Sequence, residues 1–473
     1  MINNAGTWPL DLRLVQFSRY PEDFWTVADA CQGVLILGEN GSGKTSASGR
    51  LFARKYLQAG FGGLVLCFKT DEADLWRQYL KGAGREADGR FFGASEEFRF
   101  NFMDYEARSS GVDFVENLVT LLIDVASIQR RTEATGSEAH FWLPQKKKLL
   151  RNAISLLVLA QESIQLRTLY QLIVSSPRDP QQVSSRDWQS QSYLYGLLQR
   201  AESKIGQHRE EWDLITNYFL VELPNLASKT RETIFADFTG MFDPLTRGKV
   251  GELLGTTTNL TPDDIFDGKI IVIDLPVARY REIGQYVALI WTQLFQRAVD
   301  RRDYQPPVSR PVFLWVDEAQ KFTIEQDAEF QTTARSKGIS VVRLSQNVPN
   351  FLASFGRDGK ALVDTLLGNH VTKIFHRQGD PATNRWASDV IAKETQYRMS
   401  VSTTGTVHQP IDLNPQWSVQ EVNEDSCPPE EFINLKNGGK RNGLIVEAIL
   451  FQSGRLWKKD QRWTAVRFSQ NRK

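Results

Sequence analysis

The sequence predicts an α/β fold: a mainly parallel sheet covered by helices, with an all-helical domain inserted into it. Three observations carry this expectation. Apolar runs alternate with helix-favouring stretches in both the early and late parts of the chain; a glycine-rich loop joins the first such run to its helix; a long central stretch has helical periodicity and few strand-like runs.

Between Gly33 and Leu57 the order is apolar run, glycine-rich loop and the helix-favouring stretch SASGRLFARKYL, and a second apolar run, GGLVLCF (62–68), follows at once. Continuous apolar runs of this kind suit parallel strands buried on both faces. The pattern then changes. From about Val112 to Leu226 the segments FVENLVTLLIDVASI, KKLLRNAISLLVLA and WDLITNYFLVEL read as amphipathic helices. Alternation resumes with KIIVIDLP (269–276), a helix through Val299, VFLWVD (312–317), a helix to Ser336, ISVVRLS (339–345) and VTKIF (371–375). Residues 300–311, with two proline brakes, read as a loop. The expected division is 1–105 for the first part of the nucleotide-binding domain, 106–228 for the helical insertion, and 229–473 for the second part with a basic tail.

A chain of 473 residues with 41% hydrophobic residues can fill a substantial core. Its 57 Lys and Arg against 56 Asp and Glu leave a formal charge of +1, so any contact with a polyanion must come from a local patch. Cys31, Cys67 and Cys427 follow no disulfide or zinc spacing, which suits a reducing compartment, and five scattered histidines make no metal cluster. The amino-terminal residues do not read as a signal peptide, and the longest apolar stretch, LLRNAISLLVLA (149–160), falls short of the ~20 residues a membrane span needs. The expectation is a soluble, cytoplasmic protein with no transmembrane segment.

GENGSGKT (38–45) sits after a strand and before a helix, the context a phosphate-binding loop requires. Gly38, Asn40, Gly41, Ser42 and Gly43 would curl backbone N–H groups around phosphates, Lys44 would reach the outer phosphates, and Thr45 would hold a magnesium ion. FLWV (313–316) leads into Asp317 and Glu318: an aspartate at a strand end suits the magnesium shell, and the adjacent glutamate can polarise an attacking water. No Asn-Lys-x-Asp run for reading guanine is present, so ATP with Mg2+ is the expected pair. The strand ISVVRLS ends abruptly in Ser345, Gln346 and Asn347. Ligands lie outside the carboxyl ends of parallel strands, so Gln346 is placed to bond the attacking water or the γ-phosphate.

Taken in order, GENGSGKT, FLWVDEAQ, ARSKGISVVRLSQN and LLGNHVTKIFHRQGDPATNRWASDVIAKET (366–395) resemble the ring motor ATPases of the FtsK/HerA superfamily. Within it the chain is most similar to the TraG/TraD-type coupling proteins of type IV secretion, from roughly Gly33 to Thr395. The resemblance implies a RecA-like P-loop fold, a hexameric homo-oligomer and ATP-driven DNA translocation. By matching position it implies a phosphate role for Lys44, magnesium roles for Thr45 and Asp317, the catalytic base at Glu318, a sensor amide at Gln346, and at Arg335 an arginine offered across a subunit interface. Membrane helices that such coupling proteins usually carry first are not seen here, and of the family's Asp-Pro-Lys-Gly run only Lys69 is kept, without an assigned role.

Two basic segments could touch DNA. FWLPQKKKLLR (141–151) gathers Lys146, Lys147, Lys148 and Arg151; residues 454–473 gather Arg455, Lys458, Lys459, Arg462, Arg467, Arg472 and Lys473. The leading expectation is thus a ring-forming, DNA-translocating ATPase as in conjugation, peripheral at a membrane complex, with a secretion-channel component or relaxase as partner. A second reading is an ATPase subunit of a phage-defence complex acting with a separate effector enzyme. A third and weaker one is a protein-substrate motor.

Overall fold

The computed structural model describes residues 6–93, 97–130, 138–206, 208–255, 257–356, 359–402 and 416–471. In chain order the strands are β1 (Arg13–Gln16), β2 (Phe24–Thr26), β3 (Val34–Leu37), β4 (Gly62–Leu66), β5 (Gly89–Gly93), β6 (Ile270–Asp274) and β7 (Val312–Val316). Then come β8 (Ile339–Ser345), β9 (Thr372–His376), β10 (Lys393–Ser402), β11 (Gln416–Asp425), β12 (Ile445–Gln452) and β13 (Trp463–Ser469). They fall into two compact units, one holding Gly60–Val316 and the other holding Trp8–Ala59 with the residues from Asp317 onward.

In the first unit β4 lies between β7 and β6, and β5 flanks β6, every pair parallel. All residues of β4 and β7 are buried, as a strand covered on both faces requires. Trp76 stacks on Phe313 at 5.6 Å and meets Trp315 edge-on at 5.5 Å, which ties the helix Glu72–Gly82 to the sheet. Among the described residues, no strand occurs between Phe102 and Gly255, and helices fill that stretch. The helix Phe114–Arg130 packs on Glu138–Leu159, and Ser228–Thr246 packs on Leu166–Val174.

The second unit is built around β3, which runs parallel to β8 on one side and β9 on the other; β12 joins β9 antiparallel, and β13 joins β12 likewise. Val34, Leu35, Ile36 and Leu37 are all buried, each contributing about 1.5–3 kcal/mol of burial free energy. Register sets the site: Leu37 stands level with Ser345 on β8 and Phe375 on β9. Gly38, Gln346 and His376 therefore emerge at one edge. β10 and β11 form a separate antiparallel ribbon. The mainly parallel α/β architecture with a helical insertion is what the sequence leads one to expect. No described helix is long and apolar enough to cross a membrane.

Candidate nucleotide site

The loop after β3 needs backbone shapes that most residues resist. Gly41 and Gly43 have φ of +73° and +93°, and a Cβ on Gly43 would stand 2.7 Å from Val446 of β12. Gly38 is confined differently, since its Cβ would meet that of His376 at 2.6 Å. Beyond the loop the helix opens with a wide turn over Thr45–Gly49, in which Gly49 N–H bonds the carbonyl of Lys44 at 2.8 Å, before continuing as Arg50–Gln58.

Lys44 is buried, and its ammonium donates to the carbonyls of Gly38 at 2.6 Å and Glu39 at 3.3 Å, so it lies across the mouth of the loop. Thr45 Oγ1 donates to Asp317 Oδ2 at 3.1 Å, bringing the loop against the acid that follows β7. Glu39 is held from the other side. Arg377 Nε bonds Glu39 Oε1 at 2.6 Å, and Gly379 N–H reaches Oε2 at 3.1 Å.

Glu318 is buried and takes a left-handed conformation, φ 48° and ψ 48°, that costs a non-glycine residue on the order of 1–3 kcal/mol. That bend folds the chain back so that Gln320 Nε2 donates to Glu318 Oε2 at 2.8 Å. Gln346 Nε2 donates to both oxygens of Glu318 at 3.3 Å, and Ser345 Oγ donates to Gln320 Oε1 at 2.8 Å. The polar end of β8 thereby has a local account. Ser345 orients Gln320, Gln346 faces Glu318, and Asn347 caps the helix Val348–Phe355 by accepting from Asn350 N–H at 2.9 Å. Gln378 Nε2 bonds the carbonyl of Gln346 at 2.6 Å and fixes the backbone beside it.

Under the loop, Ser48 Oγ lies 2.7 Å from His376 Nε2. Burial first, and the nearby Lys44 charge second, push the His376 imidazole down to about 3, so it is neutral at ordinary pH and can share a proton with Ser48 without adding charge beneath the loop. Lys373 is near the other end of β9. Burial lowers its ammonium to about 8, and it donates to the carbonyls of His370 and Gly368 at the end of the helix Lys360–Gly368.

Lys44, Thr45, Asp317, Glu318 and Gln346 are thus brought together within the second unit. Arg335 is not among them. It is exposed on the short turn Ala334–Lys337 before β8, and its side chain has no hydrogen-bond or ion-pair partner among the described residues. Gln320, Gln378, the Glu39 and Arg377 pair, and the Ser48 and His376 contact lay outside the sequence expectation, because each depends on a fold-back or a strand pairing that no local spacing displays. The basic segment 141–151 turns out to be largely neutralised inside the helical region. Lys146 pairs with Asp237, Lys148 with Glu222 and Arg151 with Glu116; the side chains of Phe141 and Trp142 lie outside the described residues. In the second segment Arg455 is tied to Asp29 at 3.3 Å and Arg467 to Glu447 at 3.1 Å, while Arg472 and Lys473 lie outside the described residues.

The loop after a central parallel strand and the acid pair at the end of another define a P-loop nucleotide-binding fold of RecA-like type. Residues 311–437 match the family model described as the TraM recognition site of TraD and TraG. Solved structures similar to this chain include the bacterial conjugative coupling protein TrwBdeltaN70 in an unbound monoclinic form (TM-score 0.62, 15% identity, covering 98% of this chain and 94% of that one). Two others are the plasmid coupling protein TrwB with the GTP analogue GDPNP (TM-score 0.61, 14% identity, 98% and 95% covered) and TrwB with ADP and Mg2+ (TM-score 0.58, 14% identity, 99% and 95% covered). No curated protein sequence matches significantly. The chain resembles the TraG/TraD-type conjugative coupling proteins in fold over nearly its whole length.

Proposed function

We propose that this protein is a motor ATPase of DNA transfer, working as a ring of identical subunits and converting ATP hydrolysis into DNA movement at the cytoplasmic side of a membrane secretion complex. The observation that carries the proposal is the 3.1 Å contact between Thr45 and Asp317, with Glu318 held by Gln346 at 3.3 Å beside it. It is supported by the coupling-protein fold and by solved coupling proteins bound to nucleotide analogues and to ADP with Mg2+.

In this reading the backbone N–H groups of Gly41 to Lys44 cradle the phosphates, and the Lys44 ammonium exchanges the carbonyls of Gly38 and Glu39 for phosphate oxygens. Thr45 and Asp317 would hold the magnesium ion. Two convergent oxygen donors suit a cation that usually takes one or two protein ligands together with phosphates and water, and among the described residues no cluster of three or more ligating side chains competes for it. When bound, the ion neutralises phosphate charge. Glu318 accepts the proton of the attacking water, and Gln346 donates to that water or the γ-phosphate without a change of charge. Arg335, exposed and unpaired in its own subunit, supplies a cation to the neighbour's γ-phosphate. The match of residues 311–437 to the TraM recognition family supports a protein partner from the DNA-processing complex for that segment.

The test is ATP turnover by the purified protein with and without DNA across a salt series. The proposal expects stimulation by DNA that fades as salt rises. Turnover indifferent to DNA at every salt, or stimulated only by a protein, would overturn the DNA-transfer part.

A further inference from the structure

Arg467 reads in the sequence as one cation of the basic segment 454–473, yet the fold sets it opposite cations from the far end of the chain. The helix Arg50–Gln58 and β13 border an open cleft of about 390 Å³, lined by Arg50, Arg54, Lys55, Gln58, Arg467 and Asn471 over an apolar floor that includes Phe468. No acidic residue lines it.

The charge there is only partly cancelled from behind, through Glu447 at Arg467. The side chains of Arg54 and Lys55 have no hydrogen-bond or ion-pair partner among the described residues. Arg50 spends its guanidinium on neutral carbonyls, those of Ser469 at 2.5 Å, Asn471 at 3.0 Å and Gln470 at 3.4 Å. Arg467 shares Glu447 with Lys436, at 3.1 and 3.5 Å. A chain of formal charge +1 therefore concentrates four cations around one cleft, which composition does not explain.

We propose that this cleft binds the phosphodiester backbone of single-stranded nucleic acid. The proposal rests on the DNA-transfer reading above for its choice among anions. Arg50 and Arg54 lie one helical turn apart, about 6 Å along the axis, so Arg54 can bond one phosphate while Arg50, held by the carbonyls of 469–471, sets its charge toward the next. The volume suits about one nucleotide, so the cleft would take the backbone of one strand. None of the lining residues belongs to the phosphate loop Gly38–Thr45, so the cleft is additional to the nucleotide site. The two are nevertheless joined. Residues 469–471, gripped by Arg50, form one wall, and Gln470 Nε2 donates to Ser46 Oγ at 2.8 Å, next to Thr45. A strand in the cleft would press on the segment that touches the phosphate loop, giving a short route from DNA contact to the nucleotide.

The test is fluorescence anisotropy with an oligothymidylate of about 20 nucleotides, longer than a typical site of ~4–16 nucleotides. The wild-type chain is compared with the doubly substituted Arg54→Gln/Lys55→Gln and Arg54→Glu/Lys55→Glu forms, and with a control, Lys440→Gln/Arg441→Gln, that removes two exposed cations on another turn. Thermal unfolding checks that each variant is folded. The expected result is at least ~10-fold weaker binding for the glutamine pair, a larger loss for the glutamate pair, and a slope of log affinity against log salt shallower by about 1.4 for two lost contacts, with the control near wild type. Wild-type affinity and slope in folded glutamine and glutamate variants would overturn the cleft while leaving the DNA-transfer reading standing. Failure of the wild-type chain to bind any DNA would overturn both. An equal loss for a duplex of the same length would overturn the single-strand assignment.

Discussion

Glu318→Gln is expected to slow ATP turnover by about 10²–10⁴-fold while leaving nucleotide binding close to wild type, because the amide keeps the shape of the side chain and loses only the capacity to take a proton. The surroundings make this a clean substitution. Glu318 is approached by two amide donors, Gln320 at 2.8 Å and Gln346 at 3.3 Å, and a glutamine carbonyl oxygen can still accept from either. The left-handed backbone at 318 is retained as well, so the loop following β7 should not move. Turnover and binding of a fluorescent ATP analogue, measured on the same preparation, decide the matter. A variant that hydrolyses at the wild-type rate would remove Glu318 from the chemistry, and one that no longer binds nucleotide would make it a structural residue.

Arg335→Ala should reduce turnover by ~10³–10⁵-fold in the assembled protein, the range over which an arginine supplied from a neighbour stabilises phosphoryl-transfer charge. That factor corresponds to roughly 4–7 kcal/mol of transition-state stabilisation. The side chain is exposed, on a short turn, and remote from the hydrogen-bonded set of its own subunit, so a loss of this size could not come from disturbed packing. Mixing wild-type and Arg335→Ala subunits separates action in trans from action at home. Activity falling faster than the mutant fraction is the expected outcome; a decline in simple proportion, or none, would contradict it.

The parts of the site that were legible in the sequence are those whose chemistry is local. The loop 38–45 needs left-handed φ at Gly41 and Gly43 and leaves no room for a Cβ at Gly38, so its glycines cluster within one short stretch. An acid pair at a strand end follows an apolar run, and Ser345, Gln346 and Asn347 stand out because polar residues end an otherwise buried strand. What was not legible depends on pairing across the fold. Nothing in the spacing of KKKLLR shows that Lys146 and Lys148 find acids on other helices, Asp237 and Glu222, and are withdrawn from any surface patch. Nor does the sequence show that His376 lies under Ser48, or that Gln320 bends back onto Glu318, since both follow from strand register and from one left-handed residue. The same holds for the cleft, which Arg467 on β13 shares with Arg54 and Lys55 only because β12, paired with β9 on one side, carries β13 on the other.

The decisive measurement is a structure of the assembled protein with a non-hydrolysable ATP analogue and Mg2+ bound. The triphosphate is expected inside the loop Gly38–Thr45, with Lys44 moved from the carbonyls of Gly38 and Glu39 onto phosphate oxygen, Asp317 and Thr45 at the metal, and Glu318 with Gln346 facing the γ-phosphate. A nucleotide bound elsewhere, or one bound in the loop with Glu318 turned away from the γ-phosphate, would contradict it.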